Sequence, residues 1–310
     1  MSLVDSAIVR LLPAVPKPVV RRISERYIAG EKLDDALRVV RELNDQGKLA
    51  TIDVLGEEIA EPDEARAIAA AYRETFEAIE RGRLDANVSV KPTALGLKLG
   101  YDLFRENLLD VVRHAAGRGN FVRIDMEDAS TTDDTLRAYR ELRESGFDDV
   151  GIVLQARLKR TLADLAELAE LRPNVRLCKG IYLEPAEIAY RDFDSIRASF
   201  VQTLEELLGL GCYVGIATHD EWLLEQGQRL VAARGLGREE YEFQMLLGVR
   251  PALGDELVRG GHRLRIYTPF GRHWYAYSLR RLQENPKLAG YIAADTVGRL
   301  LPGGDGGRRA

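Results

Sequence analysis

Eight short β-branched or apolar runs recur about every 30 residues along this chain, at positions 50–55, 87–91, 121–125, 150–155, 175–179, 213–218, 241–246 and 264–268. Amphipathic stretches of helical period separate them, at 61–81, 101–118, 131–145, 161–171, 187–208, 221–234 and 251–259, and a further helix follows the last run. Strict alternation of strand and helix requires parallel strands joined by right-handed crossovers. Eight repeats let the sheet close on itself, so the expected fold is an α/β protein of the (β/α)8 TIM-barrel class. Residues 1–48 are expected to form two or three short helices packed outside the barrel, and residues 49–300 the barrel itself. Residues 301–310 are Gly-rich and too poor in apolar side chains to pack, which predicts a flexible tail.

The length of 310 residues suits one barrel of roughly 250 residues with terminal additions. With 45% hydrophobic and 30% charged residues the chain can build a large core and stay soluble. A net charge of -5 with interspersed signs offers no basic stripe for nucleic acid. Cys178 and Cys212 match neither a disulfide framework nor zinc-ligand spacing. His114, His219, His262 and His273 are scattered with no helical pair, so no metal centre is expected. Arg10, Pro13, Pro16 and Lys17 break the first 20 residues, which excludes the unbroken apolar segment of a secretory signal. No run approaches the ~18 apolar residues of a membrane span, and a cytoplasmic setting is expected.

Polar residues fall at one end of the candidate strands. Lys91, Asp125, Gln155, Lys179, Thr218 with His219, Gln244 and Tyr267 all lie at or near carboxyl ends, which a parallel barrel gathers at a single mouth. Lys91, followed by Pro92, suits a Schiff base or an anion site, and equally a lysine that snorkels to solvent. Asp125 suits a base, a metal ligand or a brace for a cation, while its neighbours Glu127 and Asp128 read as a helix start favoured by the dipole. Arg176-Leu-Cys178-Lys179-Gly180 alternates cationic and apolar residues before a turn, as a phosphate or an electron-rich ring would require. His219 reads as catalytic or as a structural hydrogen-bonding residue. Gly209-Leu-Gly211 and Gly235-Leu-Gly237 lack the third glycine of the dinucleotide fingerprint, so a dinucleotide would have to sit on the barrel itself.

After the last strand, Tyr277, Arg280, Arg281 and Glu284 share one helical face. Adjacent guanidiniums repel unless an anion joins them, and Arg grips a carboxylate or phosphate in bidentate fashion. The group reads as an anion clamp braced by Glu284, set against the plainer reading of solvated surface charge.

Taken with Val88-Ser-Val-Lys91, Gln155-Ala-Arg-Leu-Lys-Arg160, Arg176 to Tyr182, Ala217-Thr-His219 and Tyr241-Glu-Phe-Gln-Met-Leu246, this pattern resembles the proline dehydrogenases, in their small monofunctional bacterial form. The resemblance covers roughly residues 49–285. It implies that the barrel binds FAD, that L-proline is oxidised to Δ1-pyrroline-5-carboxylate, and that a membrane quinone reoxidises the flavin. Arg280, Arg281 and Lys91 would bind the proline carboxylate, Tyr267 and Leu246 would pack on the ring, Tyr182 would line the pocket, and Glu284 would brace the arginines. Asp125 would organise the cations, and Arg176 would approach flavin N(5), where its charge favours the reduced anionic ring. Met126, Gln155, Lys179, Gly180, Ile181, Thr218 and His219 would hold the rest of FAD. Ile181 and Leu183 depart from the alanine and tryptophan expected in relatives, which bears on the shape of the flavin pocket. Transient contact with the inner face of the membrane, with residues 8–20 as a weak contact, would bring the quinone within reach.

Other classes remain open on these residues. A methylenetetrahydrofolate reductase-like flavin barrel shares the fold, though a tight arginine pair fits a small amino acid better than a pterin. A Schiff-base aldolase would use Lys91 or Lys179 as nucleophile, and a non-catalytic barrel would simply bind an amino acid.

Overall fold

Alternation inside the short runs decides how they pack. In Thr51-Ile52-Asp53-Val54 the polar residues share one face and the aliphatic residues the other. The computed structural model, which describes residues 26–56, 59–275, 277 and 278, turns that alternation into a closed barrel of eight parallel strands. They are β1 (Leu49–Val54), β2 (Ala86–Val90), β3 (Val122–Ile124), β4 (Val150–Gln155), β5 (Asn174–Cys178), β6 (Val214–Ala217), β7 (Tyr241–Leu246) and β8 (Leu264–Phe270). Each pairs with its sequence neighbour, and β1 closes on β8 from Leu49 opposite Arg265 to Val54 opposite Phe270. The (β/α)8 expectation is borne out.

The helices are α1 (Leu33–Asp45), α2 (Pro62–Gly82), α3 (Tyr101–Ala116), α4 (Thr132–Glu144), α5 (Thr161–Leu168), α6 (Phe193–Gly209), α7 (Glu221–Ala233) and α8 (Pro251–Arg259). Pro62 opens α2, where a missing N–H costs nothing. Ile52, Val88, Ile124, Leu177 and Phe243, on the outer strand faces, form one core with Tyr72, Phe76, Phe104, Tyr139 and Phe200 of the helices. Helix α1 packs outside the barrel against β1 and β8. The rest of the expected N-terminal helices, residues 1–25, and the tail 301–310 lie outside the described residues.

Strands β4 and β7 fall where the sequence puts them, and the others shift by one or two residues at an end. Helix α6 departs more, beginning at Phe193 rather than 187. Lys159 N bonds Ile188 O at 2.9 Å and Tyr190 N bonds Arg157 O at 2.9 Å, so these residues are tied to the loop after β4. Asp192 then caps the helix by accepting from Ser195 N at 2.7 Å. The last turn of the expected 161–171 helix tightens into a 3-10 turn, Ala169–Leu171.

Candidate active site

Barrel interiors are ordinarily filled by branched aliphatic residues. Here the inward positions carry charge. Arg176 on β5 reaches Ser89 on β2 and Asp125 after β3, and Tyr267 on β8 reaches Asp125 as well. Bonds between strands that are not neighbours can form only across the barrel interior.

At the centre lies Lys91, whose Nζ is 3.0 Å from Asp53 Oδ2, 3.1 Å from Asp125 Oδ2 and 2.6 Å from the Tyr267 hydroxyl. Tyr267 in turn donates to Asp125 Oδ2 at 3.0 Å. Arg176 Nη1 donates to Asp125 Oδ1 at 2.6 Å and to Ser89 Oγ at 3.0 Å. Two cations therefore face two carboxylates, all of them buried. Burial alone would raise the Asp125 carboxyl, but the Lys91 and Arg176 charges outweigh it and hold it below its ordinary range. Burial alone would likewise lower the Lys91 ammonium, and Asp53, Tyr267 and Asp125 together lift it well above. Lys91 is held as a protonated amine, which is not a Schiff-base nucleophile. The Tyr267 phenol, raised by burial and then by Asp125 and Asp53, stays neutral.

Around this cluster opens a cleft of about 1150 Å3 at the carboxyl ends of the strands. Lys91, Asp125, Met126, Gln155, Arg176, Lys179, Gly180, Ile181, Tyr182, Thr218, His219, Gln244, Leu246 and Tyr267, all singled out in the sequence, line it, whereas Leu183 is exposed outside it. Arg280, Arg281 and Glu284 lie outside the described residues, although Tyr277 of the same motif reaches the cleft wall. Gln155 Nε2 donates to the backbone oxygens of Glu127 at 2.7 Å and Met126 at 3.3 Å, fixing the link after β3. Lys179 Nζ lies 3.4 Å from Asp220, which Arg197 grips with two nitrogens at 2.9 and 2.6 Å. His219 Nε2 accepts from Leu246 N at 2.9 Å, so that nitrogen is unprotonated and ties β6 to β7. Cys178 also lines the cleft, its thiol pushed by burial to about 11 and so kept protonated.

Three carboxylates escaped the sequence reading. No residue of β1 was assigned to the mouth, yet Asp53 at its carboxyl end is fully buried against Lys91. Its place on the polar face of Thr51-Ile52-Asp53 was the available signal. Glu127 does not start a helix, as the sequence suggested. It is buried in the cleft wall, accepting from Thr93 N at 2.8 Å and Thr93 Oγ1 at 2.7 Å, and Asp128 alone caps the 3-10 turn Ala129–Thr131. The third, Glu242, lies deeper inside the barrel with Arg265 Nε at 2.7 Å. Among the described residues no group of three or more His, Cys, Asp or Glu is placed to hold a metal ion, and no helix is long and apolar enough to cross a membrane.

A closed parallel barrel that gathers balanced charges beneath a large cleft at the carboxyl ends of its strands belongs to the (β/α)8 barrel enzymes. The family model described as Proline dehydrogenase matches residues 36–293. This chain belongs to the proline dehydrogenase family. It is 38% identical over 274 residues to a proline dehydrogenase of Deinococcus radiodurans, spanning 87% of this chain and 88% of that protein. It is 36% identical over 269 residues to proline dehydrogenase 1 of Bacillus subtilis strain 168, spanning 87% and 89%. The structure resembles proline utilization A from Bdellovibrio bacteriovorus inactivated by N-propargylglycine, with a TM-score of 0.83 and 26% identity. That match covers 93% of this chain and 37% of the longer Bdellovibrio chain.

Proposed function

We propose that the protein oxidises L-proline to Δ1-pyrroline-5-carboxylate, with FAD bound non-covalently in the cleft and a membrane quinone as the final electron acceptor. The observation that carries this reading is the Lys91–Asp53–Asp125–Arg176 cluster, which places two fixed cations at the floor of a cleft much larger than one amino acid needs. A cleft of about 1150 Å3 suits a dinucleotide together with a small substrate. Gly180 supports the fit. It adopts φ +90, and a Cβ there would meet Gln155 Oε1 at 2.5 Å, so the backbone at the cleft wall is kept bare.

When bound, FAD would supply the hydride acceptor for proline C5. The chain's own residues supply position and charge. Lys91, with Arg280 and Arg281, would neutralise the proline carboxylate, while Leu246, Tyr267 and Tyr182 would pack on the ring and exclude water. Arg176, Gln155, Lys179, Gly180, Thr218 and His219, with Met126 and Ile181, would hold the flavin nucleotide. Asp125 bridges Lys91 and Arg176 by bonding both, which offsets the repulsion between the two cations. The protonated state of Lys91 weighs against the aldolase alternative.

Anaerobic addition of L-proline to the yellow protein should bleach the flavin absorbance, and denaturation should release intact FAD. A colourless protein that cannot be reconstituted with FAD sinks the assignment. Peripheral contact with the membrane is part of the proposal, and efficient turnover with NAD+ but none with quinones rejects it.

A further inference from the structure

Next to the charge cluster lies a second set of buried polar groups, of which Gln244 also borders the cleft. Glu242 on β7 is 1% exposed and receives Arg265 Nε at 2.7 Å and the Tyr213 hydroxyl at 3.0 Å. Two residues further along the strand, Gln244 donates from Nε2 to Glu242 Oε1 at 2.5 Å. Its other end, Oε1, accepts from Arg176 Nε at 2.6 Å.

These neighbours leave the amide one orientation. A carboxylate only accepts, so the Gln244 nitrogen must face Glu242, and a guanidinium only donates, so the Gln244 oxygen must face Arg176. With Nε held by Gln244 and Nη1 held by Asp125 and Ser89, the plane of the Arg176 guanidinium is fixed from two edges. Its remaining nitrogen, Nη2, has no partner among the described residues, and Arg176 lines the cleft. Space for this arrangement is built into the next strand. Gly215 on β6 pairs with Glu242, the Gln244 side chain lies over it, and a Cβ there would meet Gln244 Nε2 at 2.4 Å and Cδ at 2.8 Å.

We infer that Gln244 is a positioning residue, oriented by Glu242 and accommodated by Gly215, that aims the Arg176 guanidinium at the flavin in the cleft. This rests on the flavin reading above. A cation held against the flavin favours the reduced, negatively charged ring, so loss of its aim weakens cofactor binding and lowers the reduction potential.

The test titrates apoprotein with FAD, following flavin fluorescence, and measures the midpoint potential of each reconstituted protein. Gln244→Leu should raise the FAD Kd by about tenfold and lower the potential. Arg176→Met should do the same, and the double variant should be no worse than Arg176→Met alone, because both act through one guanidinium. Gly215→Ala, which keeps every hydrogen-bonding group and only crowds the amide, should shift both quantities in the same direction and covers the case in which Gln244→Leu fails to fold. Parent-like Kd and potential in Gln244→Leu or Gly215→Ala overturn the inference, as do losses that simply add in the double variant. If the parent itself binds no FAD, the flavin reading fails; if the parent binds FAD and the variants bind it equally well, the positioning role alone fails.

Discussion

Lys91 and Asp53, 38 residues apart in the chain, meet as a buried ion pair with 3.0 Å between Nζ and Oδ2. Neither could remain charged there alone, because the desolvation of an unpaired ion in a barrel interior costs several kcal/mol. The pair therefore bears on stability whatever the cleft binds.

Asp53→Leu is expected to destabilise the protein by about 3–5 kcal/mol by leaving the Lys91 charge half compensated. Urea unfolding measures it, and a loss near zero would show that Asp125 alone satisfies Lys91. The Asp53→Leu, Lys91→Met double variant should lose less than the sum of the singles, since neither partner is then stranded.

Lys91→Ala is expected to weaken proline binding by about 1–3 kcal/mol, the worth of a charged hydrogen bond. FAD content per chain should stay at the parent's level. Normal proline kinetics in this variant would remove Lys91 from the substrate site.

Asp125 and Glu127 titrate in opposite senses. The folded value of Asp125 lies below its ordinary 3.8, because Lys91 and Arg176 outweigh the effect of burial. Its contribution is thus present above pH 3.8 and lost as pH falls through the folded value. Glu127 is raised above its ordinary 4.5 by burial, against the bonds from Thr93. Its contribution is full below pH 4.5 and lost as pH rises through the folded value. Glu127→Gln should therefore flatten a decline in unfolding free energy that begins above pH 4.5, read by urea unfolding from about pH 4 to 8. An unchanged profile would mean that Glu127 is ionised in the fold at no cost.

Much of this was legible in the sequence because strand ends in a parallel barrel share one destination. Lys91, Asp125, Gln155, Lys179, Thr218 and Tyr267 needed only their position on a strand to be placed at the mouth. The alternation of β1 hinted at Asp53, but the roles of Asp53, Glu127 and Glu242 were not legible, because a buried carboxylate is recognised only once the cation or donor that meets it is known. Those partners, Lys91, Thr93 and Arg265, are 38, 34 and 23 residues away. The start of α6 was misread for a similar reason, since the bonds that hold residues 188 and 190 in a loop come from the segment after β4.

Arg280→Met and Arg281→Met should each keep fold and flavin while losing kcat/KM by about tenfold or more, at 1.4 kcal/mol per decade. Small cyclic carboxylates such as tetrahydrofuroic acid should compete with proline, and pyrrolidine should bind poorly. Parent-like proline oxidation in both variants would make these arginines a solvated helix face.

The closure of β1 on β8 sets an order on how the molecule can assemble. Ala50 and Ile266 are partners in that seam, so the ring cannot be sealed until almost the whole barrel has been synthesised. Until then both flanking strands present unpaired edges, which favour slow folding and invite association with other chains. Tyr267 arrives with the sealing strand and completes the coordination of Lys91. The same residue that finishes the cylinder thus finishes the charge cluster.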